Sequence, residues 1–119
     1  ARRREIFSRY ESALKRPGIS FMPEPKGQRS TRWLTALTID PSESGSTREA
    51  ICLMLLEHQI ESRPLWKPMH MQPLYAGSDY HGSGVDEGLF ANGLCLPSGS
   101  DMSDEQQDEV IERIKGLLA

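Results

Sequence analysis

Between Trp33 and Ile39 the side chains alternate with a period of two, yet neither set is polar. Trp33, Thr35, Leu37 and Ile39 fall on one side; Leu34, Ala36 and Thr38 fall on the other. Successive side chains of a strand point to opposite faces, so a strand with two largely apolar faces needs cover on both. The pattern predicts an internal strand of a sheet with other elements packed on each face. Those elements must come from a chain of 119 residues, the length of one domain with a single modest core.

The flanking segments supply them. Over residues 2–16, Ile6, Phe7, Tyr10, Ala13 and Leu14 form one stripe of a helix, and Pro17-Gly18 ends it. Ile19 to Met22 is a short extended run, followed by the turn-rich loop PEPKGQRS. PSESGS, after Ile39, reads as another loop. Ser46 with Glu49 three residues on has the form of a capping box. The helix behind it is apolar around much of its circumference, predicting deep burial, and ends near His58. Ile60 to Trp66 is extended. Residues 67–83 carry Pro68, Pro73, Gly77 and Gly82 with little periodicity, which predicts a long ordered loop, of a length usually functional or mobile. Val85 to Ala91 is a short helix closed by Asn92-Gly93, and Leu94 to Leu96 a buried strand. Ser103 to Gln106 forms a second capping box before a helix striped by Val110, Ile111, Ile114, Leu117 and Leu118. The fold class is α/β in the sense of an α+β sandwich: a small, largely antiparallel sheet packed by helices. No internal repeat interrupts the single domain, 1–119.

Charge narrows the partners. The formal net charge of -3 disfavours a general polyanion binder, so nucleic acid is not an expected partner. The cations are nevertheless clustered, in Arg2-Arg3-Arg4 and in Lys26, Arg29 and Arg32, while acidic residues gather in DMSDEQQDEVIE. No apolar run approaches the ~20 residues that cross a bilayer, so no membrane partner is expected. Cys52 and Cys95 sit in apolar runs and read as reduced, buried thiols. With no secretory pattern at the start, the expected compartment is the cytoplasm. The chain opens on Ala1 directly into a helical pattern, as a piece of a longer protein would.

Several chemistries are disfavoured. His58, His70, His81 and the two cysteines show none of the ligand spacings that bring two side chains to one metal ion. Nothing matches GxSxG, and neither cysteine has a histidine at a persuasive spacing. SGSD at 98–101 resembles a phosphate cradle but reads better as a loop ending at a helix cap; its serines and that helix N-terminus are still able to meet an anion. The segment SRPLWKPMH, Ser62 to His70, is different. Pro64 and Pro68 stiffen the chain around Trp66 and Lys67. Arg63, Trp66, Lys67 and His70 together suit a ligand bearing phosphate and sugar. The alternative is that Trp66 and Met69 are packing residues and the cations are solvated. The residues alone leave both readings open.

Three stretches resemble one family: GISFMPEPKGQRSTRWLTALTID, IESRPLWKPMHMQPLY and LFANGLCLPSGSDMSDEQQDEVIERIK. They look like the C-terminal small domain of DegT/DnrJ/StrS-like nucleotide-sugar aminotransferases, pyridoxal 5'-phosphate-dependent enzymes of the aspartate aminotransferase fold (fold type I). The resemblance implies that residues 1–16 are the end of an interdomain helix. It also implies a large domain, absent here, that carries the Schiff-base lysine and most cofactor contacts. The implied reaction, in bacterial polysaccharide or glycan precursor biosynthesis, moves an amino group from glutamate to a nucleotide-linked 4-keto-6-deoxy sugar. This chain alone is then expected to be inactive, and the parent a homodimer. By the same resemblance Ser62 to His70 lines the small-domain wall of the cleft. Arg63 and Lys67 offset negative charge there, Trp66 packs on the ligand or a neighbouring loop, and His70 hydrogen-bonds near sugar or cofactor. Arg32 is placed to reach the same mouth. A free-standing ligand-binding module without catalysis is the competing reading.

Overall fold

The computed structural model describes residues 1–119. Helix α1 (Arg2–Leu14) buries Ile6, Phe7, Tyr10 and Leu14. It stops short of Pro17 because a proline disfavours helical geometry in the residue before it. Lys15 is already extended, at φ -63° and ψ 119°. Gly18, at φ 79°, turns the chain into β1 (Ile19–Phe21), which pairs antiparallel with β2 (Thr35–Ile39), Ile19 opposite Ile39. β2 in turn pairs with β4 (Gly93–Leu96), and β4 with the two-residue β3 (Arg63–Pro64). The sheet order is β1-β2-β4-β3, antiparallel throughout. Pro64 lies on an edge strand, where its missing N–H leaves no gap in the ladder.

β2 is internal, as its alternation requires. Thr35, Leu37 and Ile39 are buried, and Leu37 and Ile39 share one core with Leu94 and Leu96 of β4. That core is closed by Ile6, Tyr10 and Leu14 of α1, by Ile51 and Leu55 of α3 (Arg48–Glu57) and by Val110, Ile111, Ile114 and Leu118 of α5 (Asp104–Leu118). The remaining residues of β2 and β4 face α4 (Val85–Asn92), which packs across β2, β3 and β4. Cover on this second face is thinner. An apolar recess of about 430 Å³ is bounded there by Phe21, Ala36, Leu65 and Leu89. No helix is long and apolar enough to cross a membrane.

Four local expectations are corrected. PSESGS begins as a short helix, α2 (Pro41–Ser44), because Asp40 caps it through Ser42 N–H at 2.9 Å and Pro41 is preset for the first helical position. The cap of α3 is Thr47, not Ser46: its hydroxyl accepts from Ala50 N–H at 3.1 Å, and alanine has no side chain to reciprocate. Nor is α3 deeply buried all round, since Leu53 and Leu56 are 62% and 66% exposed. The strand begins at Thr35, so Trp33 does not share the core face. By contrast the capping box at Ser103 and Gln106 forms with both bonds in place, at 2.9 and 3.2 Å.

Candidate functional site

A pocket of about 780 Å³ opens where the start of α1, the approach to β2, the β3 strand and the chain leaving β4 converge, a size suited to a small-molecule ligand. Arg3 comes from α1, Trp33 and Leu34 from the approach to β2. Glu61 to Lys67 form a wall, and Phe90 of α4 and Cys95 to Gly99 complete it. The floor is apolar and the rim is cationic.

Trp33 and Trp66 stand at the mouth, 63% and 68% exposed. Their ring centroids are 6.5 Å apart with the planes tilted by 35°. The Trp33 position is built by its neighbours. Arg3 Nη1 donates to the Trp33 carbonyl at 2.5 Å, and Ser98 Oγ donates to the same carbonyl at 3.4 Å. Ser98 also accepts from Thr35 N–H at 3.4 Å, so the SGSD stretch acts as a loop clasping the start of β2. Arg63 Nε donates to Glu61 at 2.6 Å. Both side chains are largely exposed, so water screens the pair and it adds little stability. Arg3 and Lys67 have no carboxylate partner. The hydroxyl of Ser62 is buried without a partner. Burial also pushes the Cys95 thiol up from its ordinary acidity.

Two of the anticipated site residues lie elsewhere. Arg32 turns inward. It is 8% exposed, has a left-handed backbone at φ 53° and stacks its guanidinium 3.7 Å over the Phe7 ring. Nη1 donates to the Met22 carbonyl at 2.7 Å. Its charge holds the 22–33 loop against α1 and does not reach the pocket. The left-handed turn also swings Trp33 outward, which explains why strand alternation failed one residue later. His70 likewise sits off the pocket. Its Nε2 is 2.8 Å from Glu87 and its Nδ1 3.7 Å from Asp86, and its ring stacks on Tyr80 at 3.9 Å. The Tyr80 hydroxyl donates to Asp86 at 2.6 Å and accepts from Gly84 N–H at 3.1 Å. That hydrogen bond, with His70 nearby, holds the Asp86 carboxyl below the usual range. His70 therefore ties the loop carrying Trp66 and Lys67 to the first turn of α4.

Arg63, Trp66 and Lys67 all line the pocket. Sequence reasoning did not single out Arg3 or Trp33. Nothing local distinguishes Arg3 from its two neighbours: Arg2 goes to Asp104 at 2.7 Å, Arg4 to Glu24 at 2.6 Å, and only Arg3 faces the pocket. Three consecutive helix positions point in three directions, so the run of arginines meets three different partners.

The features define a small α/β fold with a pocket rimmed by cations and two indoles. The chain belongs to the DegT/DnrJ/EryC1/StrS aminotransferase family, whose profile matches residues 1–115. EpsN of Bacillus subtilis (strain 168), provisionally named a pyridoxal phosphate-dependent aminotransferase, is 46% identical over 98% of this chain and 31% of its own length. GDP-perosamine synthase of Vibrio cholerae is 28% identical over 98% of this chain and 32% of its own length. The crystal structure of a DegT DnrJ EryC1 StrS aminotransferase from Brucella abortus superposes with a TM-score of 0.81 at 28% identity, covering 98% of this chain and 30% of that one. The chain thus spans about a third of the length of the curated relatives it matches.

The residues present do not make a complete site for pyridoxal phosphate. A Schiff-base lysine needs a shielded amine, and all four lysines, Lys15, Lys26, Lys67 and Lys115, are exposed. The pyridine nitrogen needs a carboxylate, and the pocket's own, Glu61, is exposed and held by Arg63. The pocket's cations suit anions and its two indoles suit a flat ring.

Proposed function

We propose that this chain is the small domain of a pyridoxal-phosphate-dependent aminotransferase. The parent moves an amino group from glutamate to a nucleotide-linked 4-keto-6-deoxy sugar for polysaccharide or glycan synthesis, as a homodimer in the bacterial cytoplasm. The observation that carries this reading is the family match over residues 1–115; the name GDP-perosamine synthase supports a nucleotide-linked sugar. The cofactor carries the amino group between donor and acceptor, and most of the residues that hold it lie outside this chain. Residues 1–119 alone are therefore inactive.

Within this chain, Arg63 and Lys67 offset the negative charge of the amino donor or the nucleotide, and Trp66 packs on the ligand. His70 acts at one remove, by holding the loop on which Trp66 and Lys67 sit. Both cysteines are free thiols, which suits a reducing compartment. The test is the absorbance of the full-length protein before and after glutamate. A bound-cofactor band that shifts on adding glutamate supports the reading; a protein that stays colourless after incubation with pyridoxal phosphate overturns it. Kinetics of Arg63→Ala in the same protein then test the wall. Wild-type KM values for both glutamate and sugar nucleotide would remove Arg63 from the site.

A further inference from the structure

Trp33 and Trp66 are the chain's two tryptophans, they come from segments more than thirty residues apart, and both stand exposed at one pocket mouth. An exposed indole loses contact with apolar neighbours and gains none from water. Two such rings 6.5 Å apart, one of them fixed through its carbonyl by Arg3 and Ser98, make a broad aromatic surface. Around it stand Arg3, Arg63 and Lys67 against the single carboxylate of Glu61, in a chain whose net charge is -3. The local excess of positive charge therefore runs against the charge of the whole.

The donor and acceptor inventory separates the parts of a ligand that could sit here. Sugar hydroxyls are recognised by carboxylates and amides that accept as well as donate. The pocket lining holds no Asn or Gln, Glu61 is engaged by Arg63 and Ser98 is engaged by backbone groups. The Ser62 hydroxyl is the one free group that both donates and accepts; beside it stand cationic donors and aromatic faces. Those suit a base, which stacks through its π-face whatever its edge carries, and the phosphates attached to it.

We propose that Trp33 and Trp66 form a stacking platform for the nucleobase of a nucleoside diphosphate, with Arg3 and Lys67 as the cations that meet its phosphates. The proposal rests on the nucleotide-sugar reading above for the class of ligand and adds which part of that ligand this chain holds. Arg3 is its least expected member: one helix residue both fixes the Trp33 backbone and faces the phosphates.

The experiment is calorimetric titration of the full-length protein with UDP, GDP and TDP, and separately with a hexose 1-phosphate. Trp33→Ala, Trp66→Ala, the two Trp→Phe forms and Arg3→Ala are compared with wild type. At least one nucleoside diphosphate binds, and each Trp→Ala variant weakens it by about tenfold or more, with phenylalanine recovering most of the loss. Hexose 1-phosphate affinity is unchanged by the tryptophan variants. Arg3→Ala weakens the nucleotide and flattens its salt dependence. Three results overturn the proposal: no nucleotide binding, wild-type affinity in both Trp→Ala variants, or equal losses for hexose 1-phosphate. Amino transfer is assayed apart from binding. Activity with tryptophan-independent nucleotide affinity sinks the platform alone, and tryptophan-dependent affinity without amino transfer sinks the enzyme reading alone.

Discussion

Glu24 accepts hydrogen bonds from both terminal nitrogens of Arg4, at 2.6 and 3.0 Å, and from Ser30 N–H at 3.0 Å. These bonds, Arg4 first, lower its pKa from the ordinary 4.5 to about 2. A carboxylate whose folded pKa is depressed contributes stability that is whole above its unfolded value and is lost as pH falls through its folded one. The Glu24 contribution is thus complete above about 4.5 and gone near 2. Chemical denaturation at stepped pH should show wild type more stable than Glu24→Gln near neutrality, with the gap closing across that window. A gap that stays constant with pH would mean that Glu24 acts through shape alone. Thr35 makes the opposite case. It is fully buried, and its hydroxyl has no partner, a state that costs ~1–3 kcal/mol of desolvation. Thr35→Val removes the hydroxyl and keeps the branched shape that a strand favours. Its melting temperature should rise, and a fall would show that the hydroxyl finds a partner in solution.

At the scale of elements, the packing of α4 on the sheet turns on one missing methyl. A Cβ at Gly93 would run into the Leu65 side chain and the Leu89 carbonyl, although φ is an unstrained -90°. Gly93→Ala must push β3 or the end of α4 aside, and such overpacking costs ~1–3 kcal/mol. Gly116, inside α5, has open space around the same position, and alanine there should stabilise by ~0.5–1 kcal/mol through helix propensity. Thermal melts of the two variants should therefore shift in opposite directions. The contrast also marks what was legible in the sequence. Helices α1 and α5 and strands β1, β2 and β4 announce themselves because each carries its own period or buried run. The Arg63–Trp66 wall could be read because proline, tryptophan and cations sit within one short stretch. Arg3 and Trp33 could not, because what brings them together is the left-handed turn at Arg32 and pairing between segments distant in the chain. Arg32 and His70 lie off the pocket for the complementary reason. A cation or an imidazole near a pocket in sequence is free to turn away once Phe7, Glu24, Asp86 or Glu87 offers a closer partner.

The molecule as a whole hides one side of its sheet better than the other. Three helices close the first face over a core of fourteen buried residues from sheet and helices together, while α4 leaves an apolar recess of about 430 Å³ on the second. Leu53 and Leu56 on α3, Leu74 in the 67–83 loop and the two indoles add exposed apolar surface, each more than 60% accessible. Exposed apolar surface on this scale belongs to a protein that meets something else. Expressed as residues 1–119, the chain should therefore self-associate, and sedimentation should find species heavier than the 13.4 kDa monomer in a concentration-dependent equilibrium. Leu53 and Leu56 lie three residues apart on one helix and face the same way. Replacing both with lysine removes the α3 patch without touching Ile51 or Leu55, which hold that helix in the core. If association runs through α3, the double variant sediments as a monomer with an unchanged melt. If it still associates, the contact lies across the α4 face or at Leu74 and the indoles, and a charged residue at Leu89 separates the two by breaking only the first. A wild-type chain that stays monomeric at high concentration would instead mean that these side chains are too scattered to form an interface.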